Sequence, residues 1–191
     1  MLENIIVSKV RVKLLEVFFT DPSEMYHVRG LVRKISEEIN AVRRELANLL
    51  SAGLVKKEQR GNRLYYWLNS NYLFFPELLS IFAKQSGLGG QIIKHRNRIG
   101  KILFCVFSAG FVKKEERKSD EVDVLLVGDI VMAELTGLVK SEEEKRNKEI
   151  NYTTMSGEEF EFRKRRKDPF LLGILSKGKI MIIGDEEELL K

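Results

Sequence analysis

Three features of the 191-residue sequence predict an α/β (α+β) chain in two parts. Within the first seventy residues, three stretches with helical spacing of apolar residues are followed by a β-hairpin pattern. From residue 91 to the end, strand-like and helix-like segments alternate, as expected of an α/β domain with a mixed sheet. Between the two lies Gln85-Ser86-Gly87-Leu88-Gly89-Gly90. It reads as a linker, because three glycines in four positions do not favour a helix.

The elements follow in order. From Ile5 to Phe19, apolar residues recur at Ile6, Val10, Leu14, Leu15, Phe18 and Phe19, with Lys9, Arg11 and Lys13 between them. This predicts an amphipathic helix stopped by Asp21-Pro22-Ser23. A short second helix near His27 to Ile35 offers Val28, Leu31, Val32 and Ile35 to a core. Ser36 is the expected N-cap of a third helix, with Glu37 and Glu38 opposing the dipole in its first turn. That helix presents Ile39, Val42, Leu46, Leu49 and Leu50 on one side and ends at Gly53, a suitable C′ residue. Residues 54–58 and 64–68 flank the polar turn Gln59-Arg60-Gly61-Asn62-Arg63, which predicts a hairpin. Three short helices and a hairpin are the winged-helix order. A connecting helix from Leu73 to Lys84, carrying Phe74, Leu78, Leu79, Ile81 and Phe82, completes a winged helix-turn-helix domain over residues 1–84.

The second domain, residues 91–191, reads as helix 91–100, strands 101–107 and 122–127, helix 130–147 and strand 149–154. Helices near 157–165 and 169–176, strand 179–183 and a terminal helical turn over 185–191 follow.

Composition narrows the classes. With 43% hydrophobic and 32% charged residues, wholesale disorder is excluded. No apolar run reaches the roughly eighteen residues of a membrane span, and Met1-Leu2-Glu3-Asn4 lacks the basic flank of a signal peptide. Cys105 is the only cysteine and sits among Ile102, Leu103, Phe104, Val106 and Phe107. A buried, reduced thiol acting as a small hydrophobe is expected, in a cytoplasmic protein. Net charge is +5 and uneven: residues 1–70 hold 12 basic and 8 acidic side chains, residues 71–191 hold 21 and 20. That permits a polyanionic partner for the first part.

With Ile39, Val42, Leu46 and Leu49 inward, Asn40, Arg43, Arg44, Ala47 and Asn48 fall on the outer face of the third helix. Forked donors beside small residues are what reading the major groove of double-stranded DNA requires, Arg pairing with guanine and Asn with adenine. Arg60, Asn62 and Arg63 at the hairpin tip, with Lys56 and Lys57 on its first strand, suit phosphates or the minor groove. Glu37 and Glu38 would oppose phosphate. The strings Val42-Arg43-Arg44-Glu45-Leu46-Ala47-Asn48-Leu49-Leu50-Ser51-Ala52-Gly53-Leu54-Val55 and Arg60-Gly61-Asn62-Arg63-Leu64-Tyr65-Tyr66 resemble the ArsR-type winged-helix regulators over residues 5–84. The resemblance implies transcriptional regulation. Metal sensing, common among those regulators, is disfavoured here, where Cys105, His27 and His95 are the only residues of their kinds. A homodimer is expected, because a symmetric pair reads two half-sites, with the first helix or the 73–84 helix as the seam.

In the second domain, Ser119-Asp120-Glu121-Val122-Asp123-Val124-Leu125-Leu126-Val127-Gly128-Asp129 resembles the acidic strand of the minimal nucleotidyltransferase fold over residues 91–191. There, two carboxylates two residues apart hold divalent metal against a nucleotide phosphate, since alternate strand residues face one side. Glu121 and Asp123 take those positions, with Glu149 as the candidate third carboxylate, and Mg²⁺ and a nucleotide as the implied ligands. The family's Gly-Ser pair is missing from Phe107-Ser108-Ala109-Gly110-Phe111-Val112, and Asn151 stands beside Glu149 on the next strand. The expectation is a non-catalytic sensor or dimerisation domain. The alternative is an active metal-dependent nucleotidyltransferase, transferring adenylyl groups and tethered to the winged helix. The run Arg163-Lys164-Arg165-Arg166-Lys167 is expected to be a solvated helix end.

Overall fold

The computed structural model describes Leu2, residues 5–116 and residues 121–191. Ser119 and Asp120 of the acidic motif, and Met1, Glu3 and Asn4 at the start, lie outside the described residues. The chain is a mixed α+β protein that divides into two compact units, Met1–Gln85 and Ser86–Lys191. Among the described residues no helix is long and apolar enough to cross a membrane.

The first unit opens with α1 (Lys9–Thr20), which starts where the Ser8 hydroxyl accepts the Arg11 N–H at 3.2 Å. Starting there leaves Ile5 and Val7 exposed and turns Val12 inward beside Leu14, Leu15, Phe18 and Phe19, with Val10 only half-buried. A two-residue strand, β1 (Tyr26–His27), leads into α2 (Val28–Ile35). The His27 Nδ1 accepts the Gly30 N–H at 3.1 Å, so this histidine caps a helix. Ser36 does not cap α3 (Ile39–Ser51). It closes α2 in the left-handed region, at φ 54°, its N–H bonded to Val32 O. Only three residues separate the two helices, so the chain must reverse at once, and the N-cap moves on to Glu38, whose carboxylate accepts the Ala41 N–H at 2.9 Å. Glu37 pairs instead with Lys13 of α1.

At its other end α3 meets a glycine that the geometry needs. Gly53, at φ 78°, lets its own N–H reach Leu50 O while Leu54 N–H reaches Leu49 O. These two hydrogen bonds satisfy carbonyls in the last turn of the helix. Strands β2 (Val55–Arg60) and β3 (Arg63–Leu68) then pair antiparallel, from Val55 opposite Leu68 to Arg60 opposite Arg63. Both strands run further toward the tip than expected, leaving a two-residue turn in which Gly61 supplies a positive φ of 56°. β1 joins the other side of β3, giving the order β1-β3-β2. The unit closes with α4 (Phe75–Gln85), which buries Phe75, Leu79 and Phe82. The Phe82 ring stacks on Phe19 of α1 with centroids 4.9 Å apart. Leu73 (78% exposed), Phe74 (54%) and Ile81 (42%) remain outside that contact.

The second unit departs from expectation at its first helix. The glycine-rich stretch expected as a linker is helical: it forms the first turn of α5 (Gly87–Lys94). Each helical glycine costs up to about 1 kcal/mol relative to alanine. Burying Leu88 and Ile92, as α5 does, is worth about 1.5–3 kcal/mol each, which outweighs that cost. After α6 (Arg96–Ile99) come β4 (Gly100–Ser108), α7 (Ala109–Lys113), β5 (Val124–Ile130), α8 (Met132–Arg146) and β6 (Tyr152–Met155). Then follow α9 (Gly157–Arg165), α10 (Pro169–Leu175), β7 (Lys179–Ile183) and α11 (Glu186–Leu190). The sheet order is β6-β5-β4-β7, with β4 antiparallel to β5 and β7 and β5 parallel to β6. Residues 124–128 are buried throughout, as in a strand covered on both faces. On one face, Val106, Leu125 and Val127 form a core with Phe160, Leu171 and Leu189. Cys105 is fully buried, and burial pushes its thiol up, so it stays protonated.

Candidate nucleic-acid interface and a cavity in the second unit

The face of α3 turned away from the core carries Asn40, Arg43, Arg44, Ala47 and Asn48, all exposed. What sets that face is partly a residue the apolar pattern overlooks. Glu45 is buried, and its carboxylate accepts from Ser8 Oγ at 2.8 Å, Arg11 Nε at 2.8 Å and Asn48 Nδ2 at 3.4 Å. Burial pushes this carboxyl up, but those three donors outweigh it and hold it below the ordinary range. The charge therefore ties α3 to the start of α1 and fixes the rotation of the helix. Glu38 is also held low, by the Asn40 and Ala41 backbone amides first and by the Arg44 and Arg43 charges after them. An ionised carboxylate thus sits at the N-terminus of α3, beside its arginines.

The hairpin divides its basic residues by the pleat. Lys56, Arg60 and Arg63 share one face with Tyr65 and Trp67, and Arg60 also reaches Glu58 at 2.8 Å. Lys57 lies on the opposite face, across from Tyr66. Burial raises the Tyr66 hydroxyl, and the charge of Arg43 opposes that rise. Asn62 is exposed at the tip. Among the described residues Arg43, Arg44, Lys56, Lys57 and Arg63 form no ion pair. The unit adds three exposed cations that the sequence reading did not single out: Arg29, Arg33 and Lys34 of α2. Their signal was present, since they interrupt the apolar positions of that helix on its outer side. Such a surface offers forked donors on a rigid helix and point charges on a flanking strand, the pairing that suits a groove and its phosphates.

In the second unit, Glu121 and Asp123 precede β5 rather than lying within it, and both line a cavity of about 180 Å³. Neither is idle. Glu121 Oε1 pairs with Lys177 Nζ at 2.8 Å, and Asp123, 5% exposed, accepts the Asn151 N–H at 2.9 Å. Asn151 also donates from Nδ2 to Glu121 O at 2.8 Å, which stitches the two segments together. Glu149 is exposed and does not line the cavity. No group of three or more His, Cys, Asp and Glu among the described residues is placed to hold a metal ion.

The turn after β4 is also committed. Ser108 N–H reaches Asp123 O, Ala109 N–H reaches Gly178 O, and Phe111 N–H reaches Ser108 Oγ. Amides spent in this way are not aimed at a phosphate. Lys177 and Lys179, the cavity's two cations, went unnoticed in the sequence because they lie more than fifty positions from Glu121.

Compared with known proteins, the chain matches no family model, no curated protein and no solved structure.

Proposed function

We propose that this chain is a DNA-binding transcriptional regulator, with an ArsR-like winged helix and a nucleotidyltransferase-like second unit that does not turn over nucleotide. The observation that carries the reading is the outer face of α3, where Asn40, Arg43, Arg44 and Asn48 are exposed together on a helix anchored by Glu45. Lys56, Lys57, Arg60 and Arg63, exposed on the hairpin, add cations for phosphate contacts in this reading. The test is titration of selected and random labelled duplexes at two salt concentrations. Selected sites should bind tighter by about 10³-fold or more, and both affinities should fall with salt. Equal, salt-independent affinities would reject it.

The regulator acts as a homodimer in this reading. Support comes from Leu73 and Phe74, just before α4, and Ile81 on it, all apolar and exposed, where a second copy would cover them. Light scattering should give twice the 22.1 kDa chain mass at tens of micromolar, and a monomer with and without DNA would rule the pairing out.

The competing reading is a metal-dependent nucleotidyltransferase, favoured by one observation, that Glu121 and Asp123 border a common cavity. Against it stand the spent amides of Ser108 and Ala109 and the bonded carboxylate of Asp123. Transfer of label from a nucleoside triphosphate in Mg²⁺ or Mn²⁺, abolished by Asp123→Ala, would promote it to first place.

A further inference from the structure

The cavity at the end of the second unit's sheet has a charge pattern that selects a ligand. Its apolar lining comes from Val106 and Leu125 of the sheet and from Phe170 and Ile174 of α10. Its charged lining carries both signs: Glu121 and Asp123, with Lys177 and Lys179. The lysines differ. Lys179 is almost covered and tied to Leu175 O at 3.0 Å and Glu186 at 3.3 Å, whereas Lys177 is half-exposed and, among the described residues, pairs with Glu121.

We propose that this cavity binds a small zwitterion, an α-amino acid with an apolar side chain, by exchanging the Lys177–Glu121 ion pair for two new ones. The ligand's carboxylate takes Lys177, its ammonium takes Glu121, and its side chain enters the apolar half against Phe170 and Ile174. No charge is left without a partner, so the exchange avoids the penalty of an uncompensated ion in a recess. A purely anionic ligand such as phosphate would face Glu121 and Asp123, and an amine without a carboxylate would face Lys177. Size agrees. About 180 Å³ lies below the roughly 300–1,000 Å³ of pockets that enclose drug-sized molecules, which suits a smaller ligand. This inference rests on the second unit being the ligand-responsive half of the regulator, but the binding itself requires no DNA.

The experiment is calorimetric titration of the full chain with L-leucine and L-phenylalanine, and with two leucine analogues that each lack one charge, 4-methylpentanoate and 3-methylbutylamine. At least one amino acid should bind saturably, and both analogues should bind about tenfold more weakly or worse than leucine. Lys177→Met should erase the preference for leucine over 3-methylbutylamine, and Glu121→Gln the preference over 4-methylpentanoate. Lys177 is more than half exposed, so its replacement leaves the fold in place, and the analogue series on the unaltered chain needs no variant. Absence of binding by both amino acids at about 10 mM, or analogues equal to leucine, would overturn the proposal. Displacement of a bound amino acid by ATP with Mg²⁺ would give the cavity to a nucleotide instead. Because no duplex is present, failure here leaves the DNA reading intact, and an amino-acid-binding chain that ignores DNA leaves the site standing.

Discussion

The basic run at 163–167 and the scattered cations of α3 and the hairpin hold similar charge, but they commit it differently. Arg163 spans Glu159 and Asp168, and those partners hold its guanidinium firmly charged. Lys164 donates to Leu189 O at 2.8 Å, and Arg166 lies over the Phe162 ring at 4.7 Å. Lys167 takes the left-handed position that ends α9, at φ 53°. The densest charge in the chain is largely the closing hardware of a helix. Arg43, Arg44 and Arg63 are fewer and farther apart, yet among the described residues they form no ion pair. Capacity to bind a polyanion follows uncommitted charge on a rigid element more than charge density along the sequence.

Four measurements break or sharpen this contrast. The largest effect belongs to Arg43→Ala and Arg44→Ala. Each should lose about 1–3 kcal/mol of discrimination between a selected duplex and a mismatched one, read by fluorescence anisotropy. Unchanged discrimination in both would mean that the uncommitted charges are idle.

Next comes the anchor beneath them. Arg11→Met leaves the buried Glu45 carboxylate with only Ser8 and Asn48, and should cost the first unit about 2 kcal/mol at neutral pH. Urea unfolding followed through Trp67, the chain's only tryptophan, reports it. The folded carboxyl is held below its ordinary value of 4.5, so its stabilisation is complete above that value and fades as pH falls through the lower folded one. The gap between wild type and variant should therefore narrow in acid, and a gap that widens there would contradict the assignment.

Arg63→Ala should weaken all duplexes alike and lower the salt slope by about 0.9, with Arg60→Ala doing less because Arg60 already shares its charge with Glu58. The smallest effect is expected from the dense run. Lys164→Ala combined with Arg166→Ala should leave duplex affinity unchanged, while Arg163→Ala should lower the melting temperature without touching it. A clear loss of DNA binding in the double variant would reverse the comparison.

Much of the helix and strand order was legible because apolar spacing is a local property. Leu14, Leu15, Phe18 and Phe19 announce α1, and the alternation around Gly61 announces the hairpin. The outer face of α3 was legible for the same reason: once Val42, Leu46 and Leu49 turn inward, Arg43 and Arg44 must turn out. Glu45 escaped, since a carboxylate on an apolar face looks like noise until Ser8 and Arg11, more than thirty residues away, are brought to it.

The sequence by itself determined which residues are available to form each element, and so the α+β class with its mixed sheet and the cationic surface of α3. Only the tertiary structure decided matters that depend on distant partners. It moved Ser36 from the start of α3 to the C-cap of α2, because the two helices leave three residues in which to reverse. It made a helix of Gly87 to Gly90, because buried Leu88 and Ile92 outweigh the glycines. It also brought Lys177 to Glu121 and Asn151 to Asp123, assembling a two-signed cavity from segments that no local pattern connects. Propensity and periodicity act within a few residues, whereas burial and ion pairing act across whatever distance folding closes.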